Sequence, residues 1–459
     1  MRGGRSGRGL LVDVGPLRRS RHFRNLWLGF LINTIGSQLT MVAVPYQVYR
    51  ATDSTLQVGL VSLAQLAALL VGSLVGGVVA DHLDRRRLLV LSQVALGLAS
   101  AALALNVVSG HPLLVVLYLA SALSAGVSGI GGPTRTALVV HLVEREDLVA
   151  ANALWQLLFQ IGTVVGPSIA GVLAARVGLG SLYGADAVTY LAAIAAAAAL
   201  PAPAVDAGRR GGLSFASFRE GFGYLRSQRV LQATYLVDLN AMIFGMPRAL
   251  FPALALGRFH GGPEVLGLLY SAPGVGALLA ALLTGWAARI SRQGIAVLAA
   301  VSVWGLAIAG FGWCAALGPA LACLAVAGGA DVVSAIFRGT ILQVEAPDEL
   351  RGRVQGVQFA VVAGGPRLGD VEAGLVASGL GVDTSVISGG LACLAGVALL
   401  AWRLPQFVGY QTPSAAVGKG AGEEEWGAGV EGLDSIGLAP EAAEPLIARR
   451  EPGEESVGG

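Results

Sequence analysis

The chain has 459 residues, of which 54% are hydrophobic and 13% charged, with a formal net charge of +2. Soluble domains carry about 25% charged residues, so this balance excludes an ordinary water-soluble fold. Its arginines punctuate hydrophobic blocks instead of forming one patch, which excludes nucleic-acid binding as the main role.

Apolar residues recur in blocks of about 20, the helix length that crosses the hydrocarbon core of a bilayer. Lipid offers no partner to a free backbone group, so each block is read as helix. The short alternating segments of a membrane barrel do not occur. The expected fold class is an all-α membrane protein with twelve transmembrane helices in two six-helix parallel pseudo-repeats.

Residues 1–22 read as a cytoplasmic segment with six arginines and no apolar core of a cleavable signal. Spans are predicted at 23–46, 56–80, 88–109, 112–134, 150–174 and 181–200, together an N-terminal bundle over 23–200. Residues 201–230 open with Pro201-Ala202-Pro203, carry five arginines, and read as a cytoplasmic linker. Further spans at 231–256, 264–287, 294–316, 319–338, 354–377 and 384–404 make a C-terminal bundle over 231–404. The remainder, 405–459, is rich in Gly, Ala, Pro and Glu and is expected to be a disordered, acidic cytoplasmic tail.

Arginine placement sets the expected orientation. Arg85, Arg86, Arg87, Arg135, Arg145, Arg289, Arg292, Arg338, Arg351 and Arg353 share one side with the N-terminus and the linker. The other side offers Arg50, Arg176 and Arg258. Both termini are therefore expected in the cytoplasm of a bacterial cell, with the chain in its plasma membrane.

The run from Arg135 to Leu148 aligns with the run from Arg338 to Leu350: an Arg at a helix end, apolar residues, an acidic cluster, then Leu. They recur at the same place in each half and in the same sense, as parallel repeats do.

Three motifs carry a resemblance. Gly77, Asp81, Arg85 and Arg86 lie between the second and third spans, and Gly162, Gly166, Pro167 and Gly171 lie in the fifth. The stretch from Asp238 to Pro252 occupies the seventh. The first resembles the signature loop of the major facilitator superfamily, although His82 and Asp84 depart from it. The second resembles the Gly-Pro motif of that family's exporters. The third is similar to the enterobactin (siderophore) exporter group within the drug:proton antiporters. The resemblance implies a secondary active transporter working by alternating access, with Asp81 and Arg85 as a gate latch.

Ionisable residues inside spans are the sharpest functional signals. Arg367, Asp370 and Glu372 burden the eleventh span by about 8–10 kcal/mol. Its apolar side chains return about 3–6 kcal/mol, so it should face protein or a wet cavity. Arg367 and Asp370, three apart, share a helix face and can pair. Asp238 and Asp331 lack a basic partner within four residues on their own helices. A carboxylate stranded without a partner favours its neutral form, so Asp238, Asp331, Asp370 and Glu372 are the expected proton-coupling residues. Arg248 is the candidate counter-ion for Asp238 or for an acid on another helix. Asp186 reads as interfacial.

Asn33, Gln38, Trp155, Gln156, Phe159, Gln160 and Tyr235 are the expected lining of a substrate cavity. Cys314, Cys323 and Cys393 read as small packing residues. With no phosphate loop, catalytic triad or metal-ligand spacing, no enzyme activity and no cofactor are expected. The expected partners are the lipid bilayer, a small amphipathic substrate and protons. An importer or uniporter on the same scaffold, and a membrane sensor acting through the tail, stand as alternatives.

Overall fold

The apolar blocks fold as helices in a computed structural model that describes residues 13–82, 84–200 and 215–411. The first half contributes α1 (Arg21–Thr52), α2 (Thr55–His82), α3 (Arg85–Val108), α4 (Leu114–Leu142), α5 (Leu148–Val177) and α6 (Leu179–Ala198). The second contributes α7 (Arg229–Phe244), α8 (Pro263–Leu283), α9 (Gln293–Trp313), α10 (Leu317–Glu345), α11 (Asp348–Leu380) and α12 (Val382–Arg403). Counting α7 with its continuation to Arg258, ten of these are long and apolar enough to cross a membrane. The other two are α4, whose apolar part is Leu114–Ile130, and the charged α11.

Local chemistry sets the helix ends. Ser20 accepts the Phe23 N–H at 3.1 Å to start α1. Asp84 accepts the N–H groups of Arg86 and Arg87 at 2.7 and 3.2 Å, an N-cap for α3. This explains an acid where the resembling family has glycine. Single residues join α5 to α6 and α11 to α12: Gly178 (φ 81°, ψ 171°) and Gly381 (φ 91°, ψ 156°). Only glycine adopts that backbone readily.

Packing repeats between the halves. Helix α1 packs on α5 and α6, α3 on α4 and α6, and α2 on α4. Shifted by six, α7 packs on α11 and α12, α9 on α10 and α12, and α8 on α10. The main contacts between halves are α2 with α11 and α5 with α8, which the same shift exchanges. We call the face holding the Gly178 and Gly381 joints the far face, and the face where α1 starts and α12 ends the near face.

The outer surface is apolar where lipid would lie, with Leu105, Leu119 and Leu282 each more than half exposed. Trp313 and Trp402 stand exposed at the far and near ends of α9 and α12, the levels of the two membrane interfaces.

Three expectations change. Helix α10 continues seven residues past Arg338, and α4 runs past Arg135, so both arginines lie within helices and not in loops. Hydropathy ends where polar residues begin, but the i→i−4 ladder does not. The linker is helical over Phe215–Ser227, seated on α11 through buried Leu225 and a Glu220–Arg353 ion pair. Helix α7 stops at Phe244 and resumes as a 3₁₀ turn at Arg248–Leu250, then Phe251–Ala253, then a π-turn at Leu254–Arg258. Residues 1–12, 201–214 and 412–459, which hold most of the expected N-terminal segment, linker start and tail, lie outside the described residues.

Candidate functional site

Glycines bring the halves into backbone contact toward the far face. A Cβ on Gly171 of α5 would stand 2.6 Å from the Pro263 carbonyl oxygen of α8, and one on Gly267 would stand 2.5 Å from that of Pro167. On the other seam, a Cβ on Gly59 of α2 would meet the Asp370 carbonyl oxygen at 2.7 Å, and one on Gly374 of α11 would meet that of Thr55 at 2.7 Å. The Gly-Pro motif thus divides its work. Gly162 and Gly166 pack against Thr34 and Gln38 of α1 within one half, whereas Pro167 and Gly171 form the seam with α8.

The second half holds a buried charge cluster. Asp238 on α7 is 1% exposed and ion-paired with Arg338 of α10, itself 5% exposed. The other Asp238 oxygen accepts from Gln358 Nε2 of α11 at 3.4 Å. Arg338 also approaches Asp331 at 3.6 Å; the two are seven residues apart, two turns along one face of α10. The Asp331 side chain is 45% exposed. One guanidinium therefore serves two carboxylates, one sealed and one open. Neither acid has a basic partner within four residues on its own helix, but the inference that they stand unpaired does not hold: Arg338 comes to Asp238 from another helix and to Asp331 from seven residues on, and at the end of a span it reads as an anchor. Arg338 is the functional candidate that sequence reasoning missed, and its seven-residue spacing from Asp331 was the available signal.

Helix α11 presents its charges separately. Asp370 accepts the Ser62 hydroxyl of α2 at 2.7 Å and the Ala249 N–H at 3.0 Å. Arg367 donates to the Ala363 carbonyl instead of pairing with Asp370. Helical side chains lean toward the N-terminus, which carries Arg367 away from Asp370. Arg248, exposed beside the α7 break, acts electrostatically on Asp331 and Asp370, while the counter-ion of Asp238 is Arg338. Glu372 is partly buried and has no ionic or hydrogen-bond partner among the described residues. It does not join the cluster.

The predicted lining is brought together only in part. Gln156 and Phe159, the latter 59% exposed, lie on α5 between its α1-facing and α8-facing rows and so face the centre. Trp155 stacks edge-on against Phe30 at 5.6 Å, and Gln160 is half-buried on the same helix. Gln38 donates to the Gly162 carbonyl at 3.4 Å. Asn33 is buried and donates to Gln93 at 3.5 Å, so it serves the α1–α3 contact. Tyr235 is buried, with its hydroxyl donating to the Val354 carbonyl at 3.0 Å, and is structural.

Asp186, read from the sequence as interfacial, is buried inside the bundle. It is 1% exposed, and one oxygen accepts the hydroxyls of Thr40 and Ser100, both at 2.6 Å. It therefore points between α1 and α3. In the first turn of α3, Arg86 donates to the Ala198 carbonyl at the end of α6. The side chains of Gly77, Asp81 and Arg85 lie outside the described residues.

Comparison with known proteins places this geometry. Residues 12–419 match the transmembrane secretion effector family. The chain is 31% identical over 360 residues to the enterobactin exporter EntS of Citrobacter koseri, covering 78% of this chain and 86% of that one. The same figures hold for the enterobactin exporter EntS of Escherichia coli O139:H28. Among solved structures it superposes on the nucleoside transporter NupG with a TM-score of 0.67 at 13% identity, covering 84% of this chain and 99% of that one. A bacterial homologue of the human lysosomal transporter Spinster, inward-facing and unoccupied, gives 0.65 at 16% identity, covering 86% and 97%. A bacterial homologue of the iron transporter ferroportin, inward-facing, gives 0.64 at 16%, covering 84% and 98%.

Proposed function

Because the chain belongs to the transmembrane secretion effector family of major facilitator transporters, we propose that it exports a small amphipathic molecule in exchange for protons. All twelve long helices span the bilayer in this reading, with the near face cytoplasmic. The halves, 23–200 and 231–404, rock about the α2–α11 and α5–α8 seams. Backbone contact there supports such motion, since glycine surfaces roll without side chains to unlock.

The carrying observation is the sharing of Arg338 between sealed Asp238 and open Asp331. With both acids ionised, two carboxylates compete for one guanidinium, and the more exposed Asp331 holds the weaker claim on it. Proton uptake at Asp331 removes that claim and leaves Arg338 to Asp238. Proton release restores the claim of Asp331 on Arg338, a pull along α10 itself that loosens the hold of Arg338 on Asp238 of α7. Asp331 is thus the exchanging acid and Asp238 the acid that positions Arg338.

A centre offering Phe159, Gln156 and Arg248 suits a molecule with aromatic surface and polar or anionic edges. The relatives named as enterobactin exporters support a siderophore or drug-like compound as cargo. The family and the relatives named above are membrane transporters, so transport is the activity proposed.

The test uses inside-out membrane vesicles and candidate siderophores or cationic dyes. An imposed proton gradient should drive accumulation, and Asp331→Asn should abolish the gradient dependence. Accumulation that ignores the gradient in the parent chain refutes proton exchange.

A further inference from the structure

Toward the far face, the α2–α11 seam between the halves converges on a single carboxylate. Asp370 offers one oxygen to the Ser62 hydroxyl of α2 and the other to the Ala249 N–H, at 2.7 and 3.0 Å. That N–H is available because α7 breaks after Phe244, and the first N–H groups of the restarted segment have no partner one turn back. Around Asp370 the seam is closed backbone to backbone. Gly59 and Gly374 leave no room for side chains, and the Thr55 hydroxyl donates to the Gly374 carbonyl at 3.2 Å. Three helical segments from both halves meet on these two oxygens.

The charged and titratable groups facing it are Arg248 on the α7 segment, Arg367 on α11 and Tyr270 on α8. Among the described side chains, α2 brings no charged or titratable group, and its contact is the Ser62 hydroxyl. Hydrogen bonds to an ionised carboxylate are roughly twice as strong as neutral ones. A protonated carboxyl must instead spend one oxygen as a donor, and it holds both neighbours at neutral strength.

We infer that Asp370 is a proton-binding station of the far-face gate, separate from the Asp238–Arg338–Asp331 cluster. Ionised, it clasps α2 and the outer α7 segment to α11; protonated, it lets them part. The proton comes from far-face water as the gate opens. It returns to water as Ser62 and Ala249 re-engage. The inference rests on the rocking reading above, but it concerns the gate and not net transport.

The test is a distance measurement by electron–electron resonance on the full chain in lipid nanodiscs. Labels are carried on unnatural amino acids at Ala51 and Gly379, both exposed near the far face. Moving the parent chain from pH 8 to pH 5 should shift it from a short to a long separation. Asp370→Asn, fixed in the neutral form, should favour the long separation at both pH values, lowering the closed-to-open ratio at pH 8 about tenfold or more. Ser62→Ala should give a smaller shift in the same direction, and Asp186→Asn, at a buried acid outside the seam, should keep the parent's response. The inference is overturned if Asp370→Asn keeps the parent's distances and response, or if the response is lost in Asp186→Asn instead. Should Asp370→Asn not fold, an unaltered closed-to-open ratio in Ser62→Ala overturns it equally. Vesicle transport that ignores a proton gradient while the distance still follows pH would refute proton exchange and uphold the clasp.

Discussion

Consider removing the Asp238 carboxylate alone. Arg338 is 5% exposed and Asp238 1%, so neither charge has much water to fall back on. At an effective dielectric of about 20, unit charges about 4 Å apart attract by about 4 kcal/mol. The remaining acid, Asp331, stands 3.6 Å from Arg338, but its side chain is 45% exposed and its charge is better screened. It therefore compensates only in part. Breaking a buried pair from one side costs about 3–5 kcal/mol, whereas replacing both partners with apolar residues of similar volume is often neutral. Asp238→Leu should accordingly destabilise by about 3–5 kcal/mol. Arg338→Met leaves two acids facing each other and should cost a similar amount. The double variant should recover most of the loss. Thermal unfolding in detergent, followed by tryptophan fluorescence, gives the three differences. Trp304 is a suitable reporter because it packs on the α7 break, its indole N–H donating to Gly245 at 2.7 Å. Additive losses in the double variant would mean that the two side chains do not interact, and the cluster would lose its place in the mechanism.

Other outcomes follow from the same geometry. Gly171→Val puts side-chain atoms where a Cβ alone would stand 2.6 Å from the Pro263 carbonyl; it should hold the far face open and stop export without unfolding the chain, read as lost export at normal membrane abundance. Gly381→Ala and Gly178→Ala force a side chain into φ 91° and 81°, and each should lower stability by about 1–3 kcal/mol in the same melting assay. Asp186→Leu strands the hydroxyls of Thr40 and Ser100, each about 1–3 kcal/mol, whereas Asp186→Asn keeps an acceptor and should cost less than half as much. Equal melting points for those two variants would show that the hydroxyls find other partners.

The helices were legible because lipid forces a helical backbone wherever the chain is apolar for some 20 residues. Their continuation into polar sequence was not, as α10 shows: the ladder runs on to Glu345. Partnerships between helices were also hidden. Arg338 looks like a membrane anchor in one dimension and becomes the centre of a charge cluster in three. The break in α7 did have a signal, Gly245 and Pro247 within an apolar run. That signal was ambiguous because proline also kinks helices that stay continuous, as Pro167 does in α5. The polar lining was half legible. Gln156 and Phe159 face the centre, while Asn33 and Tyr235 spend their polar groups on neighbouring helices. Residue type does not reveal which way a helix is turned.

The one-residue joints at Gly178 and Gly381 have a practical consequence. Between them, the far face is crossed only by short turns such as the one at Asp53 and Ser54. Almost no peptide stands proud of the slab there, so an added protease, an antibody or a phage would find little to grip. Epitope tags and affinity handles belong at the opposite surface, where the Phe215–Ser227 helix offers accessible polypeptide.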